Sequence, residues 1–305
     1  MTASTGSISL QEASEALRRS GYLLEARIEH LLTTRRYYVD ANDAYPDPAT
    51  GKSRELDLTA MYARRVSRDY DFVFNVLLIE CVNNPQPLVL LTKQPQAGFL
   101  FHEDIRLAGL ATKLFDTAVS RWVSLQVALH MEKFHHYCVR RVATQFCSFT
   151  KKSNQDWMAQ HEGSHFDSFS KLCDAVEWFQ DRHFKSWRFS DAKPINIEFY
   201  YPVLIVQRDL LEGHIRAHDV VLRPAKHLQF RRTAVRGSQP TVYQIDVVQE
   251  SGVPRFISTL DNELDLIAQR LKARTRLVRD SITKIVAKTR RLRSPEAIRK
   301  AMEIA

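Results

Sequence analysis

Three acidic residues in the first third of the chain stand where they could share one metal ion. Glu25 lies in an amphipathic segment, Asp57 lies in an alternating segment with Glu55 two residues before it, and Glu80 ends an apolar run. Carboxylate oxygens are the ligands that Mg²⁺ prefers, and water held by such an ion can attack a phosphodiester. If the elements that carry them pack together, these acids predict a divalent-metal site.

The last of these acids ends a strongly apolar stretch, LLIECVNN at residues 77–84. Side chains alternate between the two faces of a strand, so Glu80 and Val82 point to the same side. The strand therefore presents one ionisable and one inert side chain near its exit.

The elements expected around these acids are two helices followed by four strands. Ser9 and Glu12 form a capping box that predicts a helix at about residues 10–20, and Gly21 separates it from a second helix, YLLEARIEHLL. Alternation and turn residues predict two strands, RRYYVDANDAY and SRELDLTAMYA, joined by the turn PDPATGK. A third strand, FVFNVLLIECV, is apolar on both faces, which is typical of a central strand, and LVLLTK follows as a fourth.

Taken together, GYLLEARIEHLL, DPATGKSRELDLTAMYA and VLLIECVNN resemble the PD-(D/E)XK nucleases of the restriction-endonuclease-like superfamily, over about residues 15–93. The resemblance implies an α/β fold in which Glu25 is the helix acid, Asp57 the strand acid and Glu80 the acid of the Glu-x-Lys motif. It also implies a nuclease that hydrolyses DNA phosphodiester bonds with Mg²⁺ or Mn²⁺ held by these three acids.

The sequence departs from the family at the lysine of that motif, where it has Val82. The family lysine holds and helps to deprotonate the attacking water, which valine cannot do. A lysine from elsewhere could take its place, and Lys93, at the end of the next strand, is the predicted substitute. The predicted catalytic set is Asp57, Glu80 and Lys93, with Lys52 and Lys113 as further candidates. The alternative is a catalytically inactive nucleic-acid-binding or assembly protein on the same fold.

The remainder of the chain predicts a mixed α/β region and a long C-terminal helix. Residues 103–149 have a mostly helical pattern, 150–167 are polar and typical of a connection, and FSKLCDAVEWFQDRHF predicts another helix. INIEFYYPVLIVQ and TVYQIDVVQ are strong strands with the weaker GHIRAHDVVLR between them, and they either extend the first sheet or build a second one.

The fold class predicted is α/β, a central mixed sheet flanked by helices. The segments are a nuclease-like core (1–130), a mixed α/β region (131–258) and a basic C-terminal helix (259–305).

The formal net charge of +9 belongs to the C-terminal segment. Residues 270–305 hold twelve Lys/Arg and three Asp/Glu, so the rest of the chain is neutral overall. Such a segment can follow a phosphate backbone, although a helix with an acidic start and a basic end also complements its own dipole. The predicted DNA contacts are Lys284, Lys288, Arg290, Arg291 and Arg293.

The last helix also carries an apolar residue at every seventh position: Leu264, Leu271, Val278, Ile285 and Leu292. The intervening positions are weak for a coiled-coil seam. Packing onto the protein's own body and a homodimer through this helix are both compatible with the pattern.

Two histidine motifs offer rival chemistry. HEGSH fits the HExxH pattern of zinc proteases, with His161 and His165 as ligands, Glu162 as base and Glu177 as the obvious third ligand. Gly163 and Ser164 in its middle argue against a helix. In FHHYC, a presumed helix would send His135, His136 and Cys138 in different directions, so we interpret them as surface and core.

Composition and cysteine usage predict a cytoplasmic protein. Hydrophobic residues make up 44% and charged residues 26%, which is ordinary for a globular protein. The four cysteines lack CxxC spacing, as expected in a reducing compartment. No signal peptide is visible and no apolar run reaches membrane-spanning length, so we expect no membrane partner.

Overall fold

The N-terminal helices form where capping and periodicity predict them. The computed structural model describes residues 7–19, 22–48, 50–67, 71–95, 104–109, 112–138, 141–153, 155–160, 163–186, 195–216, 219–236 and 239–289. Helix α1 spans Leu10–Arg19 and α2 spans Tyr22–Thr34. The capping box is confirmed, because the Ser9 N–H donates to Glu12 Oε2 (2.9 Å) and the Glu12 N–H donates to Ser9 Oγ (3.2 Å).

The four strands expected near the acids are also confirmed. They are β1 (Tyr38–Pro46), β2 (Ser53–Arg65), β3 (Phe72–Val82) and β4 (Leu88–Lys93). In β3 seven of the eleven residues are buried and none is exposed, as expected for a largely apolar strand covered on both faces.

Residues 103–149 are not mostly helical, and that prediction was wrong. The segment forms three short strands, β5 (Arg106–Gly109), β6 (Lys113–Asp116) and β7 (Arg121–Ser124), a single helical turn, α3 (Leu125–Ala128), and the strand β8 (Val142–Lys151). A short strand β9 (Trp157–Gln160) follows. Strands β5, β6, β7 and β9 have four residues each, too few for alternation to be distinguished from helical periodicity in the sequence.

The C-terminal half contains further helices and strands. The expected helix is α4, Gly163–Ser186, which begins within the stretch predicted to be a connection. The remaining strands are β10 (Asn196–Val206), β11 (Leu210–Arg216), β12 (Asp219–Ala225), β13 (His227–Arg236) and β14 (Gln239–Gln249). The predicted last helix is two helices, α5 (Val253–Ala273) and α6 (Thr275–Thr289), separated at Arg274.

Twelve of the described strands form one mixed sheet, in the order β1-β2-β3-β10-β14-β13-β8-β4-β11-β12, with β5 on β10 and β9 on β8. The strands after residue 195 therefore extend the first sheet. Strand β10 pairs in parallel with β3 along its whole length, so the sheet runs across the boundary predicted at residue 130. The α/β class with a large mixed sheet and flanking helices is confirmed.

Alternate residues of β3 enter two cores on opposite faces of the sheet. Leu77 and Ile79 belong to a core that α2, α5 and α6 cover, here called the α5 core. Val76 and Leu78 belong to a core that α4 covers, here called the α4 core. Because Glu80 continues the second set, it points to the α4 side.

The C-terminal helices pack onto the body of the protein. Leu264, Leu271, Val278 and Ile285, four of the seven-residue repeat, are buried in the α5 core, and the fifth, Leu292, lies outside the described residues. The seam that could have formed a homodimer is therefore used internally. No helix in the described ranges is long and apolar enough to cross a membrane.

Candidate functional site

The candidate site lies where β2 and β3 separate. Their antiparallel pairing extends to Leu58 opposite Ile79, and Asp57 and Glu80 are the next residues on the two strands. Beyond this point Asp57 Oδ2 accepts a hydrogen bond from the Cys81 N–H at 2.7 Å, so a carboxylate replaces the strand partner. The negative charge of Asp57 is close enough to raise the pKa of Glu80, so the two carboxylates are neighbours at this point.

Lys171, on α4, supplies an ammonium group between these carboxylates. Its Nζ lies 2.7 Å from Glu80 Oε1 and 3.9 Å from Asp57 Oδ1. Val82 packs its side chain at the edge of the α4 core, on the same side of the sheet. The structure therefore brings a lysine to the two acids although residue 82 is apolar.

Burial controls the protonation of the acids. Loss of solvation is the largest cause that raises the pKa of Glu80 to about 8, the negative charge of Asp57 adds to it, and Lys171 opposes it. Burial also raises the pKa of Asp57, while the hydrogen bond from the Cys81 N–H and the positive charge of Lys171 lower it. Two neighbouring carboxylates that resist ionisation together favour a cation between them.

Glu25, at the start of α2, belongs to the surroundings of this pair. Burial and the charge of Asp57 raise its pKa, while Lys171 lowers it. Its oxygens and those of Asp57 and Glu80 do not all lie within 4.8 Å of one another, so among the described residues these three acids do not form a compact three-ligand group. Glu25 is close enough for its carboxyl to feel the charges of Asp57 and Lys171, and Asp57 and Glu80 are the two acids that form ion pairs with this lysine.

The lysines predicted from the sequence lie elsewhere. Lys93 is exposed at the end of β4, which hydrogen-bonds to β8 and β11 and to neither strand that carries the acids, so its assignment to the catalytic set needs correction. Lys52 is exposed on the turn before β2, and Lys113 lies on the separate β6–β7 hairpin. Glu55 is exposed on β2.

Contacts from the β1–β2 hairpin hold α4 in place next to the acids. Tyr45 donates its hydroxyl to the Lys171 carbonyl oxygen at 2.8 Å. Arg54 bridges Asp47 of the hairpin turn (Nε to Oδ2, 2.5 Å) and Asp174 of α4 (Nη1 to Oδ2, 3.2 Å). These contacts fix the helix turn from which the Lys171 side chain extends.

Tyr45→Phe should therefore destabilise the fold by about 1 kcal/mol, the usual contribution of one hydrogen bond. Chemical denaturation measures the change in the free energy of unfolding. Tyr22→Phe, at an exposed tyrosine on α2, is the matched control. A free energy of unfolding equal to that of wild type would mean that other contacts position α4.

A second group of ionisable residues, here called the histidine cluster, is buried under α5. It comprises His135, His136, His227, Asp246 and Glu263. His136 Nδ1 lies 2.7 Å from Glu263 Oε2, and its Nε2 lies 3.2 Å from Asp246 Oδ2. Burial alone would lower the pKa of His136, but Asp246 and Glu263 raise it to about 10, so it is an imidazolium that donates to both.

His135, His136 and Glu263 have ligand atoms within 4.8 Å of one another, a spacing compatible with a metal ion. The hydrogen bonds argue against one. His135 Nδ1 accepts from the Tyr137 N–H at 3.1 Å, and because a backbone N–H is always the donor, the ring proton is on Nε2. The atom of His135 closest to Glu263 therefore carries hydrogen instead of an available lone pair.

The interpretation of FHHYC as a helix was wrong. Residues 135–138 form a turn after the 3-10 helix Met131–Lys133, and the rings of His135 and His136 stack at 4.6 Å. The Gln229 side chain donates to the His136 carbonyl at 2.6 Å, and both carboxylates bind the His136 ring. The cluster is thus a hydrogen-bond network that ties this turn to β13, β14 and α5.

The zinc-protease motif HEGSH is only partly within the described residues. His161 and Glu162 lie outside the described residues, while His165 is buried in α4. Glu177, the expected third ligand, is twelve residues further along the same helix, or about 18 Å away. It accepts a hydrogen bond from the Tyr243 hydroxyl at 2.8 Å.

Comparison with known proteins adds no relative. No protein-family model, curated protein or solved structure matches this chain. The function must therefore be inferred from the site itself.

Proposed function

We propose that the protein is a metal-dependent nuclease that hydrolyses DNA phosphodiester bonds with Mg²⁺ or Mn²⁺. The observation that carries the proposal is the position of Lys171 Nζ, 2.7 Å from Glu80 and 3.9 Å from Asp57. Two strand carboxylates with one ammonium group reproduce the chemistry of the Glu-x-Lys motif, with the lysine supplied by a helix instead of position 82.

The donor set fits a hard divalent cation. Glu80 Oε1 is buried and accepts no hydrogen bond of good geometry from the described residues; its close contact is the ion pair with Lys171. Mg²⁺ is commonly held by one or two carboxylates, together with water and substrate phosphate. Asp57 and Glu80 would hold the ion, and Glu25 would add negative charge nearby.

Each residue then has a defined role. The bound ion would lower the pKa of a water molecule and neutralise charge on the phosphate. Lys171 orients the attacking water and stabilises the negative charge that develops on the phosphoryl oxygens. The Cys81 N–H fixes one oxygen of Asp57, which leaves Oδ1 directed toward the lysine.

The order of elements supports a restriction-endonuclease-like fold for this part of the chain. A helix carrying an acid precedes an antiparallel β1-β2-β3 meander, and a parallel strand, β10, follows on the other side of β3. The location of Glu25 on α2, Asp57 on β2 and Glu80 on β3 supports this proposal.

The basic C-terminal segment is proposed to hold the DNA backbone. Lys284 is exposed on α6, with its Nζ 3.5 Å from the centre of the Phe115 ring, and the backbone of Lys288 continues that helix. Arg290, Arg291 and Arg293 lie outside the described residues. Arg279 of α6 pairs with Asp71, the residue before β3, so this helix begins at the end of β3 opposite Glu80, and a duplex that contacts both α6 and the acids must span about 30 Å.

A catalytically inactive DNA-binding protein is the alternative. Incubation of plasmid and single-stranded circular DNA with Mg²⁺ or Mn²⁺ distinguishes the two functions. We expect cleavage that EDTA abolishes and Asp57→Asn lacks. Binding without any cleavage by wild type would leave the inactive alternative.

Glu80→Gln should weaken metal binding and also stabilise the metal-free protein at alkaline pH. Because the pKa of Glu80 in the fold, about 8, exceeds its ordinary value of 4.5, ionising it as the pH rises through this interval lowers the free energy of unfolding. Glutamine removes that cost. We expect a rise in Tm of roughly 5 °C at pH 9, no rise at pH 4, and a loss of Mn²⁺ affinity of at least about tenfold.

Glu55→Gln is the control, since Glu55 is exposed on β2 two residues before Asp57. It should change neither quantity by much. Wild-type Mn²⁺ affinity in Glu80→Gln, measured by calorimetry, would remove Glu80 from the metal site.

A further inference from the structure

A cavity of about 230 Å³ lies on the same face of the sheet as the acid pair, further along β2. Thr59, two residues after Asp57 and on the same face, forms part of its lining, about 7 Å along the strand. Strand β1 borders the cavity on one side and α4, which packs over β3 and β10, on the other. A strand of nucleic acid bound at the acids would therefore pass this cavity.

The β1 side of the cavity offers hydrogen-bond acceptors. Asp40 and Asp43 both line it. Asp43 Oδ2 accepts from the Thr59 hydroxyl at 3.3 Å, which leaves its other oxygen to accept further bonds. Tyr38, with 66% of its surface exposed, adds an aromatic face at the rim.

The α4 side offers a donor. The Arg182 guanidinium stacks over the rings of Trp178 (5.0 Å) and Phe179 (4.5 Å). Stacking uses the face of the group, while its N–H bonds lie in the plane and point outward. His183 Nδ1 lies 3.1 Å from Glu198 Oε1 and the Tyr200 hydroxyl donates to Glu198 Oε2, so these three side chains satisfy one another.

We propose that this cavity binds a guanine base of the nucleic-acid strand, an inference that rests on the proposed nuclease function. Guanine presents N–H donors on its N1/N2 edge and acceptors at O6 and N7, where arginine is the commonest partner. Asp40 and Asp43 match the first edge and Arg182 matches the second. The volume is below the ~300–1,000 Å³ of pockets for drug-sized ligands, which suits one base.

Other parts of a nucleotide fit less well. A phosphate would face two carboxylates at the β1 wall. Adenine lacks the neighbouring pair of donors that a carboxylate can bind together, and hypoxanthine lacks only the 2-amino group. Hypoxanthine is therefore the sharpest comparison, because it differs from guanine in one donor.

The test is a calorimetric titration of the full chain, without divalent metal, with 5′-GMP, 5′-IMP and 5′-AMP. Their common ribose phosphate makes each a control for the others. We expect 5′-GMP to bind about tenfold more tightly than 5′-IMP or 5′-AMP. Asp43→Asn should remove that preference, and Asp57→Asn, which disables the proposed metal site, should keep it.

Equal affinity for the three nucleotides, or no binding at millimolar concentration, would overturn the proposal. So would a preference for 5′-GMP that persists in both Asp43→Asn and Asp40→Asn. A preference for 5′-GMP in a protein that cleaves no DNA would uphold the base site and reject the nuclease function, so the two failures are distinguishable.

Discussion

Lys171→Met should lower the rate of metal-dependent DNA cleavage by about 10²–10³-fold, the effect of removing one electrostatic stabiliser from a reacting centre. Methionine keeps the length and apolar stem of the side chain, so α4 should remain packed. The charge between Glu80 and Asp57 disappears. Single-turnover cleavage of a labelled duplex measures the loss independently of product release.

Two further variants make this result specific. Lys93→Met, at the exposed end of β4, should cleave DNA as wild type does. Adding Val82→Lys to Lys171→Met should restore part of the activity, because residue 82 faces the same side of β3 as Glu80 and a lysine stem can lie along apolar neighbours. Full activity in Lys171→Met would show that its ammonium group has no catalytic role.

His136→Ala should destabilise the fold by about 3–5 kcal/mol, the usual cost of removing one partner from a buried ion pair. Asp246 and Glu263 would then remain buried without the imidazolium that binds both. Chemical denaturation near pH 6 measures the loss. His30→Ala, at an exposed histidine within α2, is the control and should change stability little.

The pH dependence of stability gives a second measure of the same contact. The pKa of His136 in the fold is about 10, so its contribution is complete below pH 6.5 and is lost as the pH rises toward 10. Burial would raise the pKa of Asp246, but His136 and His227 hold it well below its ordinary value, so its contribution is present above about pH 4 and is lost in acid. The free energy of unfolding of wild type should exceed that of His136→Ala by the largest amount between pH 4 and 6.5. A difference between the two proteins that does not vary with pH would contradict this assignment.

Local sequence signals predicted the elements that carry the three acids. The capping box at Ser9, the turn at PDPATGK and the apolar β3 depend on neighbouring residues, and these signals placed Glu25, Asp57 and Glu80 on the correct elements. Their spatial proximity follows from the β2–β3 pairing. The identity of the lysine did not follow, because it depends on how α4 packs across the sheet.

Lys171 carried a weak signal that could have been used. It directly precedes five consecutive buried residues of α4, 172–176, so its charged side chain lies at the margin of the helix face that packs on the sheet. Such a residue needs a partner, and the unpaired acids of β2 and β3 were available.

The histidine cluster was missed for another reason: a helix was assumed at His135 and His136, where the chain makes a turn.

The pairing of β3 with β10 also has a consequence during synthesis. Asn196, the first residue of β10, pairs with Phe72, so one edge of β3 has no native partner until more than a hundred further residues have been translated. At ~5–20 residues per second the ribosome needs roughly 6–25 s for that length. An apolar strand with an open edge is a template for pairing with other chains. Nascent chains of this protein should therefore depend on chaperones until β10 emerges, and slowed translation in this interval should increase aggregation.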